Sequence, residues 1–357
     1  MLRAGEDRDA LAGLGSAIER AQAIRGDLGP APADGGEAAG SRAPPDAAQE
    51  VDPRFGGASA IADAIVADDI DWLDGMRRWR DDGHGRPFRV LHCAANLSFR
   101  PADRSAVRAV NIDGTHAMLE AARRLGASEF NYVSTAYVAG DREGDILEDE
   151  VDEHRPGFSN AYEESKWDAE ALVRSYCTAH GMPYRILRPS IIIGHSVTYR
   201  LSALSGFYKV IETVRALGRL PQARGRNILL PIPAGASLDL IPVDWVVSEM
   251  IQVLEAGDAT VGHAFHLTSD SPLPLVPVLA ALSPLAGLTI GRLDEQAGPA
   301  DRLAELMMQR LRHYAPYLGQ VRSFDRRNVR EAGIAAQPTL DIDRLRPYVT
   351  GFISRAA

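Results

Sequence analysis

The alternation of apolar and polar positions is irregular over the first part of the chain. Met1-Leu2-Arg3-Ala4-Gly5 resembles the end of a strand, residues 7–22 follow a helical pattern, and residues 23–28 predict a short strand. Residues 29–59 are rich in Gly, Ala, Pro and Asp and contain almost no large apolar side chain. Because this composition buries too little apolar surface to offset the entropy of ordering the chain, we expect a disordered insertion there. A helical pattern resumes over residues 60–80.

From residue 88 onward the pattern predicts regularly alternating strands and helices. Strands are predicted at 88–95, 130–134 and 184–188, and helices at 104–125 and from an N-cap at Asn160 to a stop at Gly181. A later helix at 241–254 and a strand at 264–268 continue the series. This spacing is typical of parallel crossover units, so the predicted fold class is α/β, a doubly wound, Rossmann-like parallel sheet. Ligands of such sheets bind at the carboxyl ends of the strands.

Two stretches do not follow this alternation, and we expect them to form a smaller, mainly helical substrate-binding lobe. The predicted boundaries are 1–194 plus 238–270 for the sheet domain and 195–237 plus 271–357 for the lobe. An aromatic set in the first stretch is compatible either with the lining of a substrate pocket or with the core of the lobe: Tyr199, Phe207 and Tyr208.

Composition narrows the range of partners. A net charge of −9 and a pI near 5.5 argue against a general nucleic-acid or anionic-membrane surface, which would need a concentrated positive field. Cys93 and Cys177 are too few for a disulfide framework, and the sequence contains no apolar run long enough to cross a bilayer. Charged residues interrupt the start of the chain, so no signal peptide is predicted and a cytoplasmic setting is expected.

A tyrosine and a lysine one helical turn apart are the first candidates for chemistry. Tyr162 and Lys166 are four positions apart near the start of the helix that follows Asn160, so their side chains share a face. Only Lys166 and Lys209 are lysines among the 39 basic residues. A compact ammonium can sit beneath a phenol and favour its phenolate, which a planar guanidinium cannot do, so the pair indicates proton transfer. The alternative is an exposed tyrosine and a surface lysine.

Further small or polar residues follow the predicted strands, and together with this pair they match a known arrangement. The chain resembles the extended short-chain dehydrogenase/reductase family, most of all its thioester-reductase and male-sterility-type members. The resemblance rests on these motifs: His92-Cys93-Ala94-Ala95, Asn111-Ile112-Asp113-Gly114-Thr115, Tyr132-Val133-Ser134-Thr135-Ala136, Tyr162-x-x-x-Lys166, Arg188-Pro189-Ser190, Val243-Asp244 and, more weakly, Phe324-Asp325-x-x-Asn328.

The resemblance implies a catalytic set of Thr135, Tyr162, Lys166 and Asn111. Tyr162 would protonate a carbonyl oxygen as hydride arrives, or act as the base in the reverse direction. Lys166 would lower the pKa of the phenol and hold the ribose of the cofactor. Thr135 would orient the substrate oxygen, and Asn111 would support the site through a water molecule.

The resemblance also implies an NADP site, with NAD as the other candidate cofactor. Pro189 and Ser190 would border the nicotinamide, and Ala94 and Ala95 would let the cofactor approach the end of the first regular strand. If the register is right, Arg3 would meet the adenosine 2′-phosphate, which is what favours NADP. Asp27 with Leu28 would flank the adenine.

The chain departs from this family at its start. Family members open with a strand, a Gly-x-x-Gly-x-x-Gly turn and a helix whose N-terminus holds the pyrophosphate, and no such segment is present here. Met1-Leu2-Arg3 instead matches the end of the family's second strand. Two explanations stay open: the start was assigned to an internal methionine, which the cost of exposing a central sheet position favours, or the cofactor site is compromised.

The expected function is therefore an NAD(P)-dependent oxidoreductase that transfers hydride to a carbonyl, with an acyl thioester, small or carrier-bound, as the candidate substrate. The alternatives are a nucleotide-sugar epimerase or dehydratase, a hydroxysteroid-type dehydrogenase, and a non-catalytic scaffold or regulatory protein. No metal is expected, because His263 and His266 would project to opposite sides of a strand. No partner nucleic acid or membrane span is expected, and the sequence does not indicate an oligomeric state.

Overall fold

The computed structural model describes residues 88–149, 155–200, 206–293 and 301–355. Several sequence predictions lie outside these residues: the helix at 7–22, the strand at 23–28, the insertion at 29–59, the helical segment at 60–80, and the predicted cofactor residues Arg3, Asp27 and Leu28.

Strands and helices alternate through the described part of the chain. The strands are β1 (Arg89–His92), β2 (Glu129–Val133), β3 (Gly144–Ile146), β4 (Tyr184–Pro189), β5 (Ile191–Ile193), β6 (Asn227–Leu230), β7 (Ser237–Leu238), β8 (Leu240–Pro242), β9 (Ala264–Leu267), β10 (Leu273–Pro274), β11 (Thr289–Arg292) and β12 (Arg322–Phe324). The helices are α1 (Arg104–Arg108), α2 (Gly114–Leu125), α3 (Ala161–Ala179), α4 (Gly206–Gly218), α5 (Val243–Glu255), α6 (Leu275–Leu282), α7 (Arg302–Arg310), α8 (Ala315–Leu318), α9 (Arg327–Glu331) and α10 (Ile342–Arg355).

The main sheet has four parallel strands in the order β1-β2-β4-β9. Side chains in its middle, such as Phe130, Tyr132 and Ile186, are fully buried. Parallel strands buried on both faces are usually nearly continuous apolar runs, but β2 and β4 also carry the buried polar side chains of Asn131, Arg185 and Arg188. The predicted parallel α/β fold is confirmed, and the carboxyl ends of β1, β2 and β4 lie at one edge.

The helical path predicted for residues 104–125 is confirmed, but it is not a uniform α-helix. The segment Ala109–Asp113 between α1 and α2 is π-helical and carries the buried side chain of Asn111. A π turn inserts an extra residue, which rotates the side chains that follow it, and such turns are frequent at functional sites. The path ends at Gly126, whose positive φ of 73° favours glycine.

The C-terminal part of the structure has its own apolar core. This core gathers buried side chains of α4, β6, α6, β11, α7 and α10, among them Phe207, Tyr208 and Leu279. Two short sheets contribute to it, because β6 pairs with β11 in parallel and β7 pairs with β10 antiparallel. The predicted helical lobe therefore also contains strands, and its exact boundaries stay a prediction.

The segment from β12 to α9 returns to the main sheet. Strand β12 pairs in parallel with β3, and the side chain of Asn328 donates hydrogen bonds to the carbonyl of Ala264 on β9 (2.9 Å) and to Asp149 (2.6 Å). These contacts give a structural role to the weak Phe324-Asp325-x-x-Asn328 motif.

Among the helices that the structure describes, none is long and apolar enough to cross a membrane.

Candidate active site

The first turn of α3 is fixed by its own side chains. Asn160 is the N-cap, and its Oδ1 accepts a hydrogen bond from the backbone N–H of Glu163 at 3.0 Å. The Glu163 carboxylate in turn accepts one from the N–H of Ser159 at 3.0 Å. This reciprocal capping satisfies backbone donors that a helix start leaves unpaired. It places Tyr162 in the first helical turn, facing the carboxyl edge of the sheet.

Tyr162 and Thr135 lie on the wall of one pocket. Thr135 directly follows Ser134 at the end of β2, and its hydroxyl accepts a hydrogen bond from the N–H of Tyr137 at 3.3 Å. Apolar surroundings raise the pKa of the Tyr162 phenol, and a hydrogen bond with Thr135 partly opposes that rise. The phenol is therefore protonated at neutral pH, so it can donate a proton to an oxygen held between the two hydroxyls.

Lys166 is buried against β2. Its Nζ donates a hydrogen bond to the carbonyl of Val133 at 2.7 Å and lies 4.6 Å from the ring centroid of Tyr132. Burial lowers the pKa of the ammonium to about 8, against the opposing charges of Cys93 and Glu170. At neutral pH the lysine is still mostly charged, one turn from Tyr162 on α3. Its described contacts are with β2, and its expected effect on the phenol stays a prediction.

Asn111 joins the loop after β1 to α3. Its Oδ1 accepts a hydrogen bond from the N–H of Asn96 (2.7 Å), and its Nδ2 donates to the Asn96 carbonyl (3.1 Å) and to the Ser165 hydroxyl (2.8 Å). The amide is completely buried. These direct bonds hold the loop after β1 against α3, and the expectation that Asn111 supports the site through a water stays a prediction. Sequence reasoning missed Asn96 and Ser165, which are linked to Asn111 only by folding.

The candidate cofactor residues that the structure describes lie at the same edge. Ala94 is exposed and Ala95 is half-buried in the loop after β1, where small side chains leave room for a ligand. Pro189 ends β4, and Ser190 follows it on the wall of the pocket. These residues and Lys166 are the expected border of the nicotinamide-ribose half of a dinucleotide, and that assignment stays a prediction.

The pocket beside Tyr162 is apolar. Its volume is about 260 Å³, and it is lined by Leu97, Phe99, Ser134, Thr135, Tyr137, Tyr162, Pro189, Ser190, Ile191, Ile192, Gly206, Phe207, Val210, Leu238, Tyr314, Tyr317 and Leu318. This set of described residues includes no Asp, Glu, Lys, Arg or His side chain. Phe207 thus lines the pocket, while Tyr208 belongs to the lobe core and accepts a hydrogen bond from the N–H of Gly194.

Aromatic rings close one side of this pocket. Phe99 lies with its ring centroid 5.9 Å from that of Tyr162, 5.5 Å from that of Tyr314 and 5.8 Å from that of Tyr317. The Tyr317 hydroxyl donates a short hydrogen bond to Glu163 and accepts one from Asn160 at 2.9 Å. Helix α8 is therefore attached to the residue beside Tyr162. No local pattern in the sequence could have indicated a partner 154 positions away.

His263, just before β9, and His266, on β9, have separate partners. The His266 ring is fully buried between the Asp325 carbonyl (2.8 Å) and the Arg188 guanidinium (3.5 Å). Burial and the nearby charge of Arg188 lower the pKa of His266 to about 3. His263 is instead paired with Asp149 at 2.8 Å near the surface. Each imidazole thus has a partner within the protein, Asp325 for His266 and Asp149 for His263.

One protein-family model and several curated proteins match part of this chain in sequence. Residues 88–250 match the family described as "Male sterility protein". The carboxylic acid reductase of Segniliparus rugosus is 28% identical over 169 residues, which are 44% of this chain and 14% of that protein. The dTDP-D-glucose 4,6-dehydratase of Mus musculus is 40% identical over 111 residues, 29% of either chain. The chain thus spans less than a third of the length of these curated relatives.

A solved structure shares the fold. The terminal R domain from the myxalamid PKS-NRPS biosynthetic pathway superposes with a TM-score of 0.61 at 23% identity, covering 79% of this chain and 71% of that one. At this level of identity the likeness is one of fold.

Proposed function

We propose that this chain, residues 88–250 of which match the family described as "Male sterility protein", is an NADP-dependent oxidoreductase of the extended short-chain dehydrogenase/reductase family that reduces the carbonyl of an acyl thioester. The observation that carries the proposal is the position of Tyr162 and Thr135 on the wall of an apolar pocket whose described lining has no charged side chain. An apolar acyl group can desolvate in such a pocket, whereas the diphosphate of a nucleotide sugar would need cationic partners. The carboxylic acid reductase among its relatives supports reduction of an acyl carbon.

The proposed roles follow from the positions of the side chains. The Tyr162 hydroxyl donates its proton to the carbonyl oxygen, which Thr135 orients, and the hydroxyl product then collapses to an aldehyde and a thiol. A nicotinamide cofactor, when bound, supplies the hydride. Lys166 holds the cofactor ribose and stabilises the phenolate left on Tyr162. Asn111 holds the loop that follows β1 against helix α3.

The remaining assignments complete the proposal. Ala94, Ala95, Pro189 and Ser190 border the nicotinamide half of the cofactor. Arg3 would bind the 2′-phosphate, which distinguishes NADP from NAD, and Asp27 with Leu28 would flank the adenine. The cofactor domain is proposed to comprise 1–194 plus 238–270, and 195–237 plus 271–357 to form the substrate lobe. The substrate thiol would belong to a carrier, in line with relatives that are parts of much longer proteins.

The test is consumption of NADPH with an apolar acyl thioester. The wild-type chain should oxidise NADPH and release one thiol for each aldehyde formed. Tyr162→Phe should lower kcat at least about a hundredfold, because it removes the proton donor, with little change in NADPH affinity. Tyr184→Phe is the matched control, since Tyr184 begins β4 at the opposite edge of the sheet. Full activity in Tyr162→Phe would disprove the assignment.

A nucleotide-sugar dehydratase is the second candidate, and the 40% identity to the mouse dTDP-D-glucose 4,6-dehydratase favours it. Such an enzyme returns its cofactor unchanged, so product formation from dTDP-glucose without net NADPH consumption would support it over a reductase. A non-catalytic protein is tested by titration with NADPH. Tight binding together with turnover would exclude that alternative.

A further inference from the structure

Ser190, on the wall of the pocket, is hydrogen-bonded to a buried carboxylate. Its Oγ donates a hydrogen bond to Oδ1 of Asp239 at 2.5 Å. The same Oδ1 accepts a second bond from the backbone N–H of Ser269 at 2.9 Å. Asp239 is 4% exposed and Ser190 is 7% exposed, so neither group exchanges freely with water.

The direction of this hydrogen bond is imposed by chemistry. An ionised carboxylate can only accept, so the single hydroxyl proton of Ser190 must point at Asp239. Burial raises the pKa of Asp239 to about 6, against the opposing hydrogen bonds from Ser190 and Ser269, so the carboxyl is mostly ionised at pH 7. The backbone N–H of Ser269 also donates to Oδ1 of Asp239. This oxygen must therefore act as a hydrogen-bond acceptor whether or not the carboxyl group is ionised.

Tyr162 and Ser190 therefore offer a ligand in the pocket opposite hydrogen-bonding roles. The phenol is a donor at neutral pH, while the Ser190 oxygen has only lone pairs left for a ligand. We propose that Asp239 is a positioning residue that fixes Ser190 as a hydrogen-bond acceptor, so that the ligand group bound against Ser190 is an N–H or O–H donor. This inference rests on the proposed reductase site, because Ser190 borders its pocket.

Two ligands could supply such a donor. One is the cofactor, whose nicotinamide carboxamide carries an –NH₂ group. The other is the acyl substrate, through a hydroxyl or an amide N–H near the thioester. Both would place a donor against the lone pairs of Ser190 while the carbonyl oxygen meets Tyr162, so the experiment must separate them.

The cofactor arm compares dissociation constants of NADPH and its 3-acetylpyridine analogue, which keeps the carbonyl and lacks the amide N–H. The substrate arm compares kcat/KM for acyl thioesters with and without a 3-hydroxyl group. In at least one arm the wild type should prefer the donor-bearing ligand by about tenfold, the worth of one hydrogen bond in a buried site. The arm in which this occurs identifies the source of the donor.

Three variants test the role of Asp239. Ser190→Ala and Asp239→Ala should reduce the preference to within about twofold, the second because it frees the hydroxyl to rotate. Asp239→Asn should keep it, since its amide oxygen can still accept from Ser190 and Ser269. If Asp239→Asn keeps the preference, then its loss in Asp239→Ala comes from the freed Ser190 hydroxyl and not from a general loss of structure. Asp244→Asn is the matched control, because Asp244 accepts from the Ser196 hydroxyl in the same way but away from the pocket lining.

The proposal is overturned if the wild type shows no donor preference in either arm, or if the preference survives in Ser190→Ala. Loss of the preference in Asp239→Asn as well as in Asp239→Ala would also overturn it, since charge rather than orientation would then be responsible. The cofactor arm needs no turnover. If the wild type binds NADPH but reduces no thioester, the proposed reaction is disproved, and the cofactor arm alone then supports this inference by a donor preference or overturns it by the lack of one.

Discussion

The buried ion pair between Glu170 and Arg188 joins α3 to the end of β4. Arg188 donates from Nε and Nη2 to the two carboxylate oxygens of Glu170 at 2.9 and 2.7 Å, and both side chains are 5% exposed. Glu170 lies one turn beyond Lys166, and Arg188 directly precedes Pro189. The pair therefore holds the helix that carries the catalytic residues against the strand that borders the cofactor.

We predict that Glu170→Met lowers the free energy of unfolding by about 3–5 kcal/mol, because it leaves the Arg188 charge buried without its partner. Adding Arg188→Met should restore much of that loss, since a pair of buried apolar side chains pays no cost of desolvating charge. The two substitutions are thus expected to be strongly non-additive. The measurement is urea unfolding followed by tryptophan fluorescence, with the slope against urea unchanged between variants.

The matched control is an ion pair at the surface. Lys209 and Glu212 on α4 are 2.7 Å apart, with side chains 41% and 40% exposed, and Glu212→Met should cost no more than about 0.5 kcal/mol. If Glu170→Met cost as little as Glu212→Met, or if the effects of the Glu170 and Arg188 substitutions simply added, the reasoning about burial would be refuted.

The pH dependence of the same variant has a defined sign. Burial raises the pKa of Glu170, but the charge and hydrogen bonds of Arg188 outweigh it, so the pKa in the folded state is lowered from 4.5. A depressed pKa means that the stabilisation is present above pH 4.5 and is lost as the pH falls through the folded-state value. The stability difference between wild type and Glu170→Met should therefore shrink in acid.

Three further predictions concern the pocket and the cofactor. Since the pKa of Lys166 is lowered to about 8, the affinity for NADPH should weaken as the pH rises through 8, and Lys166→Met should bind weakly with no such dependence, as measured by titration. Leu97, half-exposed on the pocket wall, should tolerate Met, whereas Leu97→Glu should lower kcat/KM for an apolar acyl thioester about tenfold without weakening NADPH binding. Tyr317→Phe removes the donor to the buried Glu163 carboxylate and should lower the unfolding free energy by about 1–3 kcal/mol in urea; an unchanged midpoint would show that this bond adds nothing.

The fold of the described residues could largely be predicted from the chain because its signals are local. Apolar periodicity located the strands β2 and β4 and the helix α3 to within about two residues, and the Asn160 cap with Glu163 marked the start of α3. The π-helical turn around Asn111 was not predictable, because α and π turns differ in which backbone groups pair and not in the residue types that they require. Two of the strands that were missed in the lobe, β7 and β10, have only two residues each, too few to show a period.

The identities and spacing of Thr135, Tyr162 and Lys166 are properties of the sequence, since each follows a strand end or a helical turn that its neighbours specify. Which groups those side chains meet was decided by packing. Tyr317 reaches Glu163 across 154 residues and Asp239 reaches Ser190 across 49, because segments that are distant in the chain pack together beside the carboxyl edge of the sheet. Hydrogen bonds between distant segments leave no periodic signal, so the apolar pocket and its donor and acceptor sides appear only in the tertiary structure.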